Sequence, residues 1–352
     1  MTDLAIFQGK KAAYYTLGCK LNFAETSTFA ERLSQLGVRT VRKGESADIC
    51  IINTCSVTEV ADHKCRQQIN KMVRNHPDAF VLVTGCYAQL SPNRVAEMNG
   101  VDLVLGANEK AHLIEHLAEK MSGRMTEKVL CEKVKDIRSF AASCSKGNRT
   151  RYFLKVQDGC DYKCAYCTIH YARGSSRNMP IAELVEEAKQ VAASGLKEIV
   201  ITGINTGDFG RTTGEKFIDL LRALNEVECI ERYRISSIEP ILITDEIIEF
   251  CAASPKFQHH FHIPIQCGSN KILALMRRRY TVEKFAERIT AVKNAMPDVF
   301  IGIDVITGFP GETDADFADS RNFLESSAPA YLPIFPYSER ANTPATTLPN
   351  KA

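Results

Sequence analysis

Strand-sized apolar runs alternate with amphipathic helical stretches along most of the chain, and this alternation restricts its fold more than any other feature. Apolar runs at 48–53 and 80–84, for example, are each followed by residues with apolar side chains at helical spacing. Repeated strand–helix units predict parallel sheets covered by helices, which is an α/β fold. No apolar run approaches the roughly 20 residues that cross a bilayer, so we expect no membrane segment.

The alternation is interrupted once, between residues 122 and 150, where lysine, arginine and serine are frequent. This interruption predicts a linker between an N-terminal domain at 1–121 and a second domain at 151–338. In the first domain the strand–helix alternation predicts a wound parallel sheet. The second has six β/α units, too few for a closed eight-stranded barrel, and predicts an open partial (β/α)6 barrel.

Cysteine is the unusual component of an otherwise ordinary composition. Hydrophobic residues make up 45% and charged residues 24%, as in folded globular proteins. The first residues lack the apolar core of a signal peptide, so we expect a cytoplasmic protein whose thiols stay reduced. Thirteen cysteines then indicate metal ligation or redox chemistry rather than disulfides. The net charge of +2 requires any contact with nucleic acid to use a local basic patch.

Three cysteines lie together directly after the strand predicted at 152–156. Cys160, Cys164 and Cys167 have the spacing C-x3-C-x2-C, which places three thiolates on one short loop. Cysteine sulfur is the usual ligand of iron–sulfur clusters, and three ligands leave one iron of a [4Fe–4S] cluster open. Zinc is the alternative, since His170 could supply the fourth ligand that structural zinc sites require.

A second set of three cysteines is spread along the N-terminal domain. Cys19, Cys55 and Cys86 each follow a predicted strand, and the carboxyl ends of parallel strands share one sheet edge. We therefore expect the three thiols to meet, with Gly18 and Gly85 allowing close backbone approach. The alternative is that all three are buried small side chains, which is the interpretation we give to Cys50 and Cys65.

The C-x3-C-x2-C triplet, with the aromatic Tyr166 before its last cysteine, resembles the signature of the radical SAM superfamily. This resemblance implies a [4Fe–4S] cluster whose open iron binds S-adenosylmethionine, and a barrel that shields the radical formed from it. It also implies contacts to that cofactor from polar residues at the ends of barrel strands. The candidates for these contacts are Tyr166, Thr202, Gly203, Asn205, Ser237, Glu239 and Gln266.

The two cysteine sets together resemble the methylthiotransferase family, which joins an N-terminal domain bearing three cluster cysteines to a radical SAM core. The matching stretches are 16–22, 52–55, 84–89, 164–168, 172–174 and 308–313. The residues 17–25 look most like the branch that modifies N6-threonylcarbamoyladenosine at position 37 of tRNA. Family members usually continue into a small RNA-binding TRAM domain, to which the tail at 339–352 would lead and which is absent from this chain. We therefore expect either a fragment or an enzyme that binds tRNA without that domain.

The resemblance implies transfer of a methylthio group to C2 of that adenosine, with two [4Fe–4S] clusters and two molecules of S-adenosylmethionine. The implied partners are the tRNA anticodon loop and a flavodoxin- or ferredoxin-like electron donor. Basic residues beside aromatic ones could follow the RNA backbone. The candidates for this role are Arg149, Arg173, Arg177, Arg277 and Arg278.

Other functions remain open on the sequence alone. The same chemistry could act on isopentenyladenosine in tRNA or on a ribosomal-protein side chain. A non-catalytic iron–sulfur carrier or redox sensor, or a zinc-binding RNA module, would also use clustered cysteines. His260 and His262 share one face of a predicted strand, and we expect a structural role for them rather than metal binding.

Overall fold

A computed structural model describes residues 4–137, 140 and 150–349. The chain divides into two compact units. The first comprises Met1–Arg149 and Thr168–Ser175, and the second comprises Thr150–Cys167 and Ser176–Ala352. The segment 168–175 therefore belongs to the first unit, although the sequence analysis places it in the barrel domain at 151–338.

The first unit contains a six-stranded parallel sheet in the order β2-β1-β3-β4-β5-β6. Its strands are β1 (Lys11–Thr16), β2 (Arg39–Thr40), β3 (Ile49–Thr54), β4 (Phe80–Gly85), β5 (Leu103–Leu105) and β6 (Val129–Leu130). Its helices are α1 (Lys20–Gln35), α2 (Glu59–Asn75), α3 (Cys86–Leu90), α4 (Pro92–Ala96), α5 (Leu113–Met121) and α6 (Ile169–Arg173). The predicted wound parallel sheet is confirmed.

Both faces of this sheet are buried, which explains the continuous apolar runs in its central strands. Ile51 and Leu82 pack into a core with residues of α1 and α5. Ile52 and Val83 point to the other face and pack into a core with residues of α2. The strand β6 lies inside the range predicted as a linker. That part of the linker prediction is wrong, because Val129–Leu130 pairs with β5 as the edge strand of the sheet.

The second unit is built from parallel strands with helices between them. Its strands are β7 (Tyr152–Lys155), β8 (Gln157–Asp158), β9 (Arg177–Asn178), β10 (Glu198–Thr202), β11 (Arg232–Ile235), β12 (His260–His262), β13 (Phe300–Gly302), β14 (Val305–Thr307) and β15 (Ile334–Pro336). Its helices are α7 (Ile181–Ala193), α8 (Phe217–Asn225), α9 (Asp245–Ala253), α10 (Asn270–Leu275), α11 (Val282–Ala295) and α12 (Asp314–Ser327).

Parallel pairings connect the successive β/α units of the second unit. The strand β10 lies between β7 and β11, β12 pairs with β13, and β14 pairs with β15. Single parallel bridges, Ser237 with His262 and Gln266 with Val305, join these groups. Only the short β8–β9 pair is antiparallel among the paired strands of the described residues. The predicted α/β fold with a partial (β/α)6 barrel is thus confirmed.

Of the helices in the described ranges, none combines the length and apolarity of a membrane span.

Candidate iron–sulfur and cofactor sites

The cysteines of the N-terminal set lie at one edge of the sheet in the first unit. Cys19 precedes α1 and follows β1, Cys55 follows β3 directly, and Cys86 begins α3 after β4. Because β1, β3 and β4 are parallel neighbours, their carboxyl ends bring the three residues together. The three residues thus share one sheet edge, as expected, and the binding of a cluster by their thiols stays a prediction. Cys55 and Cys86 are buried, whereas Cys19 is exposed.

Two glycines leave the space that these cysteines need. Gly18 has a φ of +98°, and a Cβ atom there would lie 2.7 Å from the Cys55 Sγ atom. Gly85 has a φ of +103°, and a Cβ atom there would collide with the backbone of Thr54. Both positions have left-handed backbone conformations that favour glycine, and any larger side chain there would clash with Cys55 or Thr54. The Cys55 side chain and the Thr54 backbone therefore pack directly against these two glycines.

Burial raises the pKa of the Cys55 and Cys86 thiols and keeps them protonated when no metal is bound. It raises the pKa of Cys55 to about 12, and the neighbouring Cys86 and Cys19 thiols raise it further. It also raises the pKa of Cys86, while the positive charges of Arg173 and Lys110 act in the opposite direction. An iron cluster binds thiolates and would displace these protons, so its binding is coupled to proton release.

Asn22 connects the cysteine loops to a buried charged network. Its side-chain amide donates hydrogen bonds to the carbonyl oxygens of Leu17, at 2.7 Å, and Thr54, at 3.0 Å. Those residues precede Gly18 and Cys55 in the sequence. The Asn22 side-chain oxygen accepts a hydrogen bond from Arg173 Nη2 at 2.6 Å. Asn22 therefore fixes the ends of β1 and β3, where two of the cysteines are placed.

The same network is centred on the buried carboxylate of Glu25. Its oxygens lie 2.6 Å from Lys110 Nζ and 3.0 Å from Arg173 Nη1, and one accepts a hydrogen bond from Asn53. Glu25 is 1% exposed, and both cations are buried as well. The prediction that Arg173 binds RNA is wrong, because its guanidinium is 2% exposed and ion-paired inside the first unit.

The cysteine triplet follows β7 and β8 in the second unit. Cys164 is buried, and Cys160 and Cys167 are half-buried. The backbone N–H of Cys167 donates to the carbonyl oxygen of Cys164 at 3.1 Å, which closes a tight turn between the last two thiols. Burial raises the pKa of Cys160 to about 12, and the thiols of Cys167 and Cys164 raise it further. This loop brings three thiols together, as a cluster with three protein ligands requires.

Arg278 lies against the triplet and is not on the protein surface. Its Nη1 atom is 3.0 Å from Cys164 Sγ and 3.4 Å from the Tyr166 hydroxyl. Its Nη2 atom is ion-paired with Glu239. The Arg278 side chain is 3% exposed, so the prediction that it binds the RNA backbone is wrong.

The strand-end residues predicted to contact the cofactor follow β10, β11 and β12. Thr202 ends β10, and the Gly203–Asn205 stretch comes directly after it. Asn205 is 4% exposed, and no described group accepts a hydrogen bond from its amide nitrogen. Ser237 shares a hydrogen bond with His262, and Gln266 donates its backbone N–H to Asp304 at a φ of +73°. Their contacts with the cofactor stay predictions.

The buried side chain of Gln157 joins the Gly203–Asn205 stretch to the loop that carries the cysteine triplet. Its Oε1 atom accepts hydrogen bonds from the backbone N–H groups of Ile204, at 2.9 Å, and Asn205, at 3.1 Å. Its Nε2 atom donates to the carbonyl oxygen of Gly159, which precedes Cys160, at 2.8 Å. The sequence analysis missed this residue, although its position in β8, just before Cys160, was a possible signal.

We expect Gln157→Leu to weaken binding of S-adenosylmethionine about tenfold, because the buried N–H of Asn205 would lose its acceptor. Tenfold is about 1.4 kcal/mol, within the roughly 1–3 kcal/mol cost of one unsatisfied buried donor. The measurement is calorimetric titration of reconstituted protein at matched iron content. Gln190→Leu is the control, since Gln190 is exposed on α7. Equal affinities of the two variants would contradict this role for Gln157.

The remaining predicted RNA contacts have different outcomes. Arg177 is 6% exposed and lies 3.3 Å from the Asp158 carboxylate, so its prediction is wrong as well. Arg277 is exposed, and its contact with RNA stays a prediction. Arg149 lies outside the described residues.

The histidines of the β12 region contact acidic groups, with His259 at 2.6 Å from Asp298 and His262 at 2.9 Å from Asp304.

Within the described ranges, no three His, Cys, Asp or Glu side chains form a group that could hold a single metal ion. A [4Fe–4S] cube takes its thiolates at separate iron atoms, so its ligands need not converge on one point. The donor set at both places consists of three cysteines, which is the ligand chemistry of such cubes. The residues present therefore fit this kind of group.

Two family models match separate parts of the chain. The model of the Radical SAM superfamily matches residues 154–324, and that of Uncharacterized protein family UPF0004 matches residues 11–106. Among solved structures, the radical S-adenosylmethionine methyltransferase TsrM from Kitasatospora setae has a TM-score of 0.69 at 14% identity, covering 93% of this chain and 73% of that one. The fold and the family match define a radical SAM protein, for which S-adenosylmethionine and a [4Fe–4S] cluster are implied.

Similar proteins with curated names show which kind of radical SAM protein this chain is. Threonylcarbamoyladenosine tRNA methylthiotransferase MtaB of Bacillus subtilis is 40% identical, covering 96% of this chain and 75% of that protein. MtaB of Aquifex aeolicus is 38% identical, covering 97% and 83%. A tRNA-2-methylthio-N(6)-dimethylallyladenosine synthase of Akkermansia muciniphila is 32% identical, covering 96% and 78%. The chain belongs to the radical SAM methylthiotransferase family, in its MtaB branch.

Proposed function

We propose that this enzyme transfers a methylthio group to C2 of N6-threonylcarbamoyladenosine at position 37 of tRNA. The observation that carries the proposal is the pair of three-cysteine sets at strand ends, in a chain that is 40% identical to an MtaB protein over 345 residues. The name of that relative supports the substrate, and the two sets support the chemistry. The sequence alternatives, isopentenyladenosine and a ribosomal-protein side chain, are not favoured by these relatives.

In this proposal Cys160, Cys164 and Cys167 hold the [4Fe–4S] cluster that binds S-adenosylmethionine. When bound, the cluster and cofactor supply a carbon radical able to remove the unreactive C2 hydrogen of adenine. The chain's own residues orient the cofactor. Gln157 sets the loop that carries Asn205, and the free amide N–H groups of Asn205 are available as hydrogen-bond donors. An electron donor of the flavodoxin or ferredoxin class belongs to this proposal.

We further propose that Cys19, Cys55 and Cys86 hold a second [4Fe–4S] cluster, at which the sulfur to be transferred is held. The shared sheet edge and the close approach of Cys55 to Gly18 support this assignment. Asn22 would keep the ends of β1 and β3 in position around it, through its hydrogen bonds to Leu17 and Thr54.

Mass spectrometry of nucleosides tests the function directly. Reconstituted enzyme, reductant and S-adenosylmethionine would be incubated with tRNA that carries threonylcarbamoyladenosine but no methylthio group. We expect a new nucleoside heavier by one methylthio group in place of hydrogen, absent with Cys164→Ala. Release of 5′-deoxyadenosine without any modified tRNA would contradict the proposed substrate, and modification of isopentenyladenosine alone would reassign the chain to the other tRNA branch.

A further inference from the structure

A buried arginine donates to one thiol of the cysteine triplet. Arg278 Nη1 lies 3.0 Å from Cys164 Sγ, and the side chain is 3% exposed. Arginine keeps its charge at every physiological pH, and a charged donor to sulfur makes a strong, short hydrogen bond once the thiol becomes a thiolate. A fixed positive charge therefore touches the atom proposed to bind iron.

The position of Arg278 is set by groups other than the cysteine. Its Nη2 atom is ion-paired with Glu239 and lies 2.9 Å from the hydroxyl of Tyr280. The Tyr280 hydroxyl in turn donates to the carbonyl oxygen of Pro264 at 2.7 Å. Glu239 and Tyr280 thus orient the guanidinium, so its contact with Cys164 does not depend on the thiol holding it there.

We propose that Arg278 is a positioning residue that sets the reduction potential of the radical SAM cluster through its hydrogen bond to Cys164. One electron enters the cluster from the flavodoxin- or ferredoxin-like donor, no bond breaks, and the cluster becomes more negative by one charge. A cation at a ligand sulfur stabilises the more negative state, since net charge and hydrogen bonds to sulfur tune such potentials. The proposal rests on the assignment of Cys160, Cys164 and Cys167 to this cluster.

The sign of the effect differs between two substitutions. Arg278→Gln removes the positive charge and should make the potential more negative. Glu239→Gln removes the anion that offsets this charge and should make the potential more positive, with little change in shape. A purely structural role for the Arg278–Glu239 pair would not produce opposite shifts.

The test is a redox titration of the reconstituted 352-residue protein, monitored by electron paramagnetic resonance without S-adenosylmethionine. The relevant signal is the one that changes in wild-type protein when S-adenosylmethionine is added. For Arg278→Gln we expect about a tenfold lower ratio of reduced to oxidised cluster at fixed potential, which is about 59 mV for one electron. Arg278→Lys should shift less, and Arg277→Gln, which removes an exposed neighbouring charge, should leave the potential unchanged.

An unchanged potential in Arg278→Gln would overturn the proposal, even if S-adenosylmethionine bound more weakly. If Arg278→Gln loses its iron, the reduction potential of Glu239→Gln becomes the deciding measurement. An unchanged or more negative potential in Glu239→Gln would also overturn the proposal. A signal that persists in Cys164→Ala and still responds to S-adenosylmethionine would instead refute the cysteine assignment, so the two failures are distinguishable.

Discussion

Replacing Cys19, Cys55 and Cys86 together by alanine is expected to abolish methylthiolation while leaving release of 5′-deoxyadenosine intact. The reason is that these residues lie in the first unit, whereas Cys160, Cys164 and Cys167 lie in the second. Wild-type protein should contain about eight irons, four for each [4Fe–4S] cluster, and the triple variant about four. Iron and sulfide analysis, product assays and tRNA nucleoside analysis on the same preparation measure all three effects.

Cys50 provides the matched control for this experiment. It lies in β3 and is fully buried, and its side chain packs in the core on one face of the sheet. Cys50→Ala should keep full iron content and methylthiolation, at the modest stability cost of a smaller core side chain. Four irons in wild-type protein, or unchanged iron in the triple variant, would show that the N-terminal set holds no cluster.

The strand ends that carry these cysteines could be predicted because the signals are local. Apolar runs mark β3 and β4, and the cysteine after each run is then placed by sheet topology. The edge strand β6 was missed for the opposite reason. It has only two residues, inside a charged stretch, so it has no periodicity of its own and exists because β5 offers a free edge.

Two of the three arginines that were predicted to bind RNA and are buried, Arg173 and Arg278, show where sequence reasoning fails. A basic residue beside an aromatic one in the sequence suggests a surface contact for RNA. Whether its side chain is buried depends on partners elsewhere in the chain. Arg173 is paired with Glu25, 148 positions away, and Arg278 with Glu239, 39 positions away. Nothing in the neighbourhood of either arginine indicates these carboxylates.

A weak signal for the first of these networks does exist in the sequence. Asn22 and Glu25 are three positions apart at the start of α1, so they lie on one face of the helix that begins after Cys19. A buried polar pair at helical spacing next to a candidate ligand predicts a supporting role for that face. The identity of its partners, Lys110 and Arg173, comes only from the fold.

Glu25→Gln should destabilise the first unit strongly, by roughly 3–5 kcal/mol. The substitution keeps the size of the side chain but removes its negative charge. Lys110 Nζ and Arg173 Nη1, at 2.6 and 3.0 Å from the carboxylate, would then lose the anion that offsets their desolvation. Hydrogen exchange of the amides in β1 and β3 measures the loss as a lower free energy of local opening.

The exposed ion pair between Arg32 and Glu115 in the same unit shows why burial decides the size of this effect. Its atoms are 3.1 Å apart, about as close as those of the buried pairs, but its side chains are 37% and 43% exposed. Water already solvates both charges, so Glu115→Gln should cost only about 0.2–1 kcal/mol. If Glu25→Gln cost no more than this control, the carboxylate would not be holding the two cations. The same loss should reach the cysteines through Asn22, which Arg173 contacts, and lower the iron bound by the N-terminal set while the second unit keeps its own.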